Sequence, residues 1–409
     1  MEKNVELNQG DNLTQEEKVQ KAIDIIKSKE STFYFMVSET PNPAASVYEI
    51  YFHANVVKNL GYNVKMLTVD PEYKIPFYID SELTDMEHIS SETVKLQVTP
   101  SDVVVIPEIM SFAMEQTKNL PCLRVVLLQS IDYALQGLQH GVNWSSQFGI
   151  SKVITTSNML KNAFEEYYGK GIYDIKTYKM GIPDYFSYDE EKDPLKQPII
   201  SIVGRNANEL HKITKLFYAK YPEYAWVTFD AMVTESKPPQ PLRRKDFAAK
   251  LKKHFAALWV DRISSFGTFP LECMKAGTIP IALVPDLAPD YIVDEKGNFK
   301  QNSGIWTQSI YDIPLLLGET LIRFMDDSVA DEMYNKMKEI SDEYNDENAT
   351  KEIGEIYQGF LTERMNHLQN NLNAHNEMKK AEEESKKDEV SPDQLGVVLP
   401  DEDDDVINV

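Results

Sequence analysis

The chain alternates short apolar runs with helical stretches, and it does so twice, with one charged break between the two series. FYFMVS at 33–38, NVKMLTV at 63–69, DVVVIP at 102–107, RVVLLQS at 124–130, KVITTS at 152–157 and DIKTYKMG at 174–181 form the first series. Each has the length and the β-branched or aromatic content of a buried strand. Helical segments separate several of them, such as 47–60 closed by Gly61 and 158–169 behind Ser157 as N-cap. Strands that are apolar on both faces need helices on both faces. The pattern therefore predicts a mostly parallel, doubly covered sheet.

DEEKDPLKQP at 189–198 has no periodicity and carries two prolines, so it reads as a linker. The same grammar then restarts with IISIVG (199–204), a helix at 209–221, YAWVTFD (224–230), AALWVD (256–261), a short helix at 270–277 and IPIALV (279–284). The expected organisation is an N-terminal helical extension (1–30), a first Rossmann-like domain (31–188), the linker, and a second Rossmann-like domain (199–330). C-terminal helices (331–380) and an acidic tail (381–409) would follow. Thr14 with Glu17 three residues on predicts a capping box at the first helix. The tail, with DEDDD at 401–405 and no aromatic residue, cannot bury enough surface to offset its ordering entropy and is expected to be disordered. Two facing α/β domains leave a cleft at the C-terminal ends of their strands, where ligands bind.

The 409 residues suffice for two cores, since one core stops growing near ~250–300 residues. Two cysteines, Cys122 and Cys273, make neither a disulfide framework nor a four-ligand zinc site. The polar start lacks the apolar stretch of a secretory signal, and no apolar run approaches the ~20 residues of a membrane span. A cytoplasmic location is expected. The net charge of −23 disfavours a nucleic-acid partner and favours small molecules or proteins.

The segment WVDRISSFGTFPLECMKAGTIPIALV (259–284) joins a strand, a Gly-bearing turn, a helix and a second strand. It resembles the nucleotide-sugar segment of retaining GT-B glycosyltransferases of the large family four group, E-G-F-G-x-x-x-x-E-A-M-x-x-G-x-P-V-I. Phe266, Gly267, Glu272, Met274, Gly277 and Pro280 fall in register. The resemblance implies that Glu272 accepts hydrogen bonds from the ribose hydroxyls and that Gly267, Thr268 and Phe269 line the donor pocket beside Phe266. The family's first Glu falls on Ser264. Either Asp261 or Arg262 holds the sugar instead, or the site is degenerate. IVGRNANELHK (202–212) resembles the family's G-R-x-x-x-x-K-G stretch. That likeness implies that Arg205 and Lys212, next to Gly204, clamp the diphosphate, whose charge grows as the glycosidic bond breaks.

The first half matches less. SETPNPAASVYEIYFHANVVKNLGYNV stands where the family has a loop with paired glycines, and here Ala45 and Ser46 take the acceptor side. KMGIPDYF (179–186) resembles the family's N-G-I-D-x-x-x-F at the end of the first domain. Glu108 and Asp132, just past strand ends, are the nearest polar acceptor-side candidates where the family carries a histidine, though a structural role suits each better. His53, four residues after Glu49 on one helix face, could be a ligand or base, but a solvated or core-satisfied histidine is the better reading. PLRRKDFAAKLKKHF (241–255) is basic, and its Phe247, Leu251 and Phe255 stripe predicts a solvated amphipathic helix beside the cleft.

The resemblance implies a retaining glycosyltransferase that uses a nucleotide-diphosphate sugar as donor, with no other cofactor and no metal ion. Two alternatives stand beside it. One is a catalytically degenerate GT-B scaffold acting as a binding or structural protein, and the other is a nucleic-acid-modifying glycosyltransferase. A protein partner through the C-terminal helix or the acidic tail is open, and no transmembrane segment is expected.

Overall fold

The structure, a computed structural model, describes residues 13–38, 40, 43–92, 97–136, 139, 141–188, 198–204, 206–263, 266–294, 296–300, 303–324 and 327–388. Arg205, Ser264 and most of the linker lie outside these residues. Helix α1 (Gln15–Lys27) opens with the expected capping box: the Thr14 hydroxyl accepts the Glu17 N–H, and the Glu17 carboxylate accepts the Thr14 N–H.

β1 (Thr32–Met36), α2 (Ala45–Asn59) and β2 (Asn63–Thr68) make the first strand–helix–strand unit, with Gly61 at φ +92° turning the chain out of α2. β3 (Glu87–Ser90) follows, which the apolar pattern does not announce. It is an edge strand of sequence EHIS, half-solvated, and so carries no apolar signature. β4 (Val103–Pro107), α3 (Ser111–Gln116), β5 (Leu123–Leu128), α4 (Ile131–Ala134), α5 (Trp144–Phe148), β6 (Lys152–Thr155), α6 (Asn158–Tyr168) and β7 (Asp174–Thr177) complete the layer. Among the described residues the seven strands pair in parallel in the order β3-β2-β1-β4-β5-β6-β7.

The second layer runs β8 (Ile199–Gly204), α7 (Ala207–Lys220), β9 (Thr228–Asp230), α8 (Arg244–Leu251), β10 (Ala256–Val260), α9 (Thr268–Lys275), β11 (Ile279–Leu283) and β12 (Ile305–Thr307). β9 is shorter than the stretch expected at 224–230, because Pro222 starts a 3-10 turn through Tyr224. Five parallel strands are ordered β12-β11-β10-β8-β9. Strand order therefore reverses between β1 and β4 in the first sheet and between β8 and β10 in the second. In open α/β sheets ligands bind outside the strand C-termini at such a reversal.

α10 (Ile313–Arg323), α11 (Asp327–Glu343) and α12 (Asp346–Asp388) end the described chain. α12 crosses back to the first sheet, where the Tyr357 ring meets Phe33 and Phe35 edge-on, with centroids 5.6 and 6.0 Å away. It also corrects the expected tail boundary, since 381–388 continue the helix and only 389–409 lie outside the described residues. The Ala, Glu and Lys of that stretch extend a helix already nucleated by packing, and elongation costs far less than nucleation. One apolar core runs through both layers, from Phe33 and Tyr357 through Met180, Ile182 and Phe186 to Phe269 and Met274. A second core, around Trp144 and Phe164, backs the other face of the first sheet.

Candidate functional site

At the reversal of the second sheet, Gly204 ends β8 beside Val260, which ends β10. A Cβ on residue 204 would lie 2.7 Å from the Val260 carbonyl oxygen, so only glycine lets these two strand ends close on each other. The chain then leaves β10 through Asp261, whose Oδ1 accepts the Ile263 N–H at 3.1 Å and turns the loop. Gly267 sits at φ +71°, and a Cβ there would lie 2.6 Å from the Trp259 ring. Its carbonyl accepts the Tyr291 hydroxyl, and α9 starts at the next residue. The strand, turn and helix expected for 259–284 are thus present, and glycine is required at the turn for two separate reasons.

The side chains of that turn point mainly inward. Phe266 packs against Tyr291 and Tyr344, Phe269 lies edge-on to Phe247, and the Thr268 hydroxyl lies 3.7 Å from Met180 Sδ. The rings of Phe266 and Phe269 are buried in the core.

Glu272 lies on the second turn of α9. Its Oε1 accepts Nη2 of Arg244 at 2.9 Å, with the two side chains 12% and 11% exposed. The Arg244 guanidinium lies 3.6 Å over the ring of Tyr48 on α2. Behind that ring, the Tyr48 and Tyr185 hydroxyls both donate to Asp80 Oδ2, at 3.2 and 2.8 Å. Burial pushes the Glu272 carboxyl above its ordinary range, and Arg244 pulls against that rise. Arg244 Nη1 is buried without a partner among the described residues.

The amphipathic helix expected within 241–255 is present, with Leu251 and Phe255 buried and Phe247 packed on the core, but Arg244 is not on its solvated face. It lies on the same helical stripe as Phe247, Ala248 and Leu251, at i, i+3, i+4 and i+7, so it is carried inward with them. That spacing was the available signal. The neighbouring cations are paired as well, Lys245 with Glu82 and Lys250 with Asp230, each at 2.8 Å.

Lys212 stands exposed on the second turn of α7, and its ammonium donates to the Tyr311 hydroxyl at 2.6 Å. Arg262, also exposed, gives Nε and Nη2 to Glu209 Oε1 at 3.1 and 2.8 Å. Arg262 follows β10 closely and Lys212 lies on the helix after β8, each already held by a neighbour.

On the first sheet, Ala45 and Ser46 form the exposed first turn of α2, and the Ser46 carbonyl accepts Gln129 Nε2 at 3.1 Å. Glu108 follows β4 directly and is 2% exposed. Its Oε1 accepts the Ser130 N–H at 2.9 Å, while Oε2 has no partner among the described residues. Burial pushes its pKa up to about 8, against the pull of backbone N–H groups. Asp132 is exposed on α4. Glu49 and His53 are core groups, held by the Tyr178 hydroxyl at 2.9 Å and the Tyr357 hydroxyl at 3.0 Å. Burial raises Glu49 to about 7 and lowers His53 to about 3.

The two layers are also tied at α6. Asp290 accepts the Asn158 and Met159 N–H groups at 2.7 and 3.0 Å, so a carboxylate from the second domain occupies a helix N-terminus of the first. No helix among the described residues is long and apolar enough to cross a membrane. No group of three or more His, Cys, Asp or Glu side chains among those residues is placed to hold a metal ion.

No family model and no curated protein sequence matches the chain. Its structural likeness is to glycosyltransferases. Sucrose-phosphate synthase from Thermosynechococcus elongatus superposes with a TM-score of 0.55 at 14% identity, covering 81% of this chain and 100% of that one. The pneumococcal O-GlcNAc transferase GtfA, in complex with UDP and GlcNAc, gives 0.57 at 10% identity over 82% and 99%. A glycosyltransferase from Rickettsia africae gives 0.52 at 12% identity, again over 82% and 99%. The chain has the GT-B fold: two Rossmann-like parallel-sheet domains facing across a cleft.

Proposed function

We propose that the protein transfers a sugar from a nucleotide-diphosphate sugar to an acceptor, with retention and without a metal ion. The observation that carries this reading is the placement of Glu272. A carboxylate on the helix behind a glycine turn pairs with Arg244, which in turn meets Tyr48 of the other domain, and that helix follows a strand at the reversal of the second sheet. A nucleotide whose ribose hydroxyls donate to Glu272 would have its diphosphate toward the ends of β8 and β10, where Arg205 and Lys212 would supply cations. Fixed cations there stabilise the leaving diphosphate as its charge grows. The acceptor would enter from the first sheet, past Ala45 and Ser46.

A second reading is a GT-B scaffold that binds without turning over. It is favoured by the engagement of Glu272, Arg262 and Lys212 with protein partners and by Ser264 in place of the family's Glu.

Titration calorimetry of UDP-, GDP-, ADP- and CDP-sugars against the wild type, Glu272→Ala and Arg205→Ala tests both. One preferred nucleotide, with affinity lost at least about tenfold in both variants, supports the donor site. Release of nucleoside diphosphate then separates the enzyme from the scaffold. Absence of binding by any of the four sinks the donor reading.

A further inference from the structure

We infer that Arg244 is a positioning residue that couples ribose recognition by Glu272 to the docking of the first domain through Tyr48. The inference rests on the donor reading of Glu272 given above and adds a residue that no motif supplies. A carboxylate with free rotamers is a poor acceptor for two adjacent hydroxyls, because ordering it on binding consumes affinity. Here the ordering is done in advance. One Arg244 nitrogen fixes Glu272 Oε1, and the guanidinium carbon lies over the Tyr48 ring, 3.6 Å from its centroid. Tyr48 is in turn fixed by its bond to Asp80, which Tyr185 shares.

The chain of contacts crosses the seam between domains. Glu272 and Arg244 belong to α9 and α8 of the second layer, while Tyr48 belongs to α2, whose first turn contains Ala45 and Ser46. If the domains separate, Arg244 loses its ring support and Glu272 its fixed orientation. The buried, unpartnered Nη1 fits the same view, since a charged donor left unsatisfied is costly and is retained where it serves a site.

The experiment compares the ribonucleoside diphosphate of the preferred donor with its 2′,3′-dideoxy analogue, by calorimetry, in the full chain. Wild type should favour the ribose form by about tenfold or more, the size of a charge-assisted hydrogen bond. Arg244→Met and Tyr48→Leu should bring that ratio close to one while leaving the dideoxy affinity unchanged, and Arg244→Lys should restore part of it. Should Arg244→Met fail to fold, Tyr48→Leu, which leaves both charges in place, carries the test. An unchanged ratio in the variants overturns the inference, as does an equal weakening of both nucleotides. If neither nucleotide binds wild type, the donor reading itself fails and takes this inference with it. If both bind and only the ratio is insensitive, the donor reading stands alone.

Discussion

Glu272 on the rim of the second sheet and Glu108 on the rim of the first are both removed from bulk solvent, but their partners differ in kind. Glu272 meets a guanidinium at 2.9 Å, while Glu108 meets backbone N–H groups and keeps one oxygen unpaired among the described residues. Burial raises both carboxyls, but only Glu272 has a cation pulling it back. The lesson is that burial acts differently on a carboxyl with a cation beside it and on one without. A neighbouring cation opposes the upward push of burial on Glu272, whereas Glu108, without one, holds its proton near neutrality.

The sharpest way to break this contrast is to remove the cation. Arg244→Met should cost about 3–5 kcal/mol in chemical denaturation, because it leaves Glu272 buried and unpaired. Combining it with Glu272→Gln should recover much of that loss. A loss confined to about 1 kcal/mol would mean that the pair is far more solvated than its 11–12% exposure indicates.

Glu108→Gln should behave in the opposite sense. Because the folded pKa of about 8 lies above the ordinary 4.5, the folded protein holds a proton that the unfolded chain has released. The contribution of Glu108 to stability is therefore complete below about pH 4.5 and lost as pH rises through about 8. Measured as the difference from wild type, Glu108→Gln should be near neutral at acidic pH and stabilising above pH 8 by as much as a few kcal/mol. A pH-independent difference would place Glu108 among ordinary, ionised carboxylates.

Asp290→Ala tests the seam away from both glutamates. Removing a carboxylate that caps α6 with two bonds should cost about 1–2 kcal/mol, read as a lower thermal midpoint and faster exchange of the Asn158 and Met159 amides. Unchanged exchange would show that the cap does not hold the domains together.

The smallest stability effect is expected on the exposed apolar rim of the first sheet. Phe112 and Ile109, after β4, are 50% and 42% exposed. Phe112→Ser should therefore shift stability by no more than about 0.5 kcal/mol. If the acceptor enters from this side, the same change should raise the acceptor KM while leaving donor affinity unchanged. Equal effects on both would dissolve the division of labour between the two rims.

The buried strands β1, β4, β5, β6, β8, β10 and β11 were legible because strands covered on both faces must be apolar at nearly every position. The edge strand β3 was not, since an edge half in water is free to carry Glu, His and Ser, and β12, though apolar, is only three residues long and too short to show a pattern. The turn at Gly267 was legible from the run of strand, glycine and helix, and Glu272 was singled out by the family resemblance. What the carboxylate meets was not. Its partner Arg244 lies 28 residues away on another helix, inside a run of cations whose composition suggests a solvated face. A local pattern of residues determines which segments must be covered and where backbone needs glycine, because these are properties of a few neighbouring dihedrals and side chains. Which cation reaches Glu272, which aromatic ring supports that cation, and why Glu108 has none depend on how α8, α9 and α2 meet. Desolvation and pairing act through space, so only the packed structure decides them.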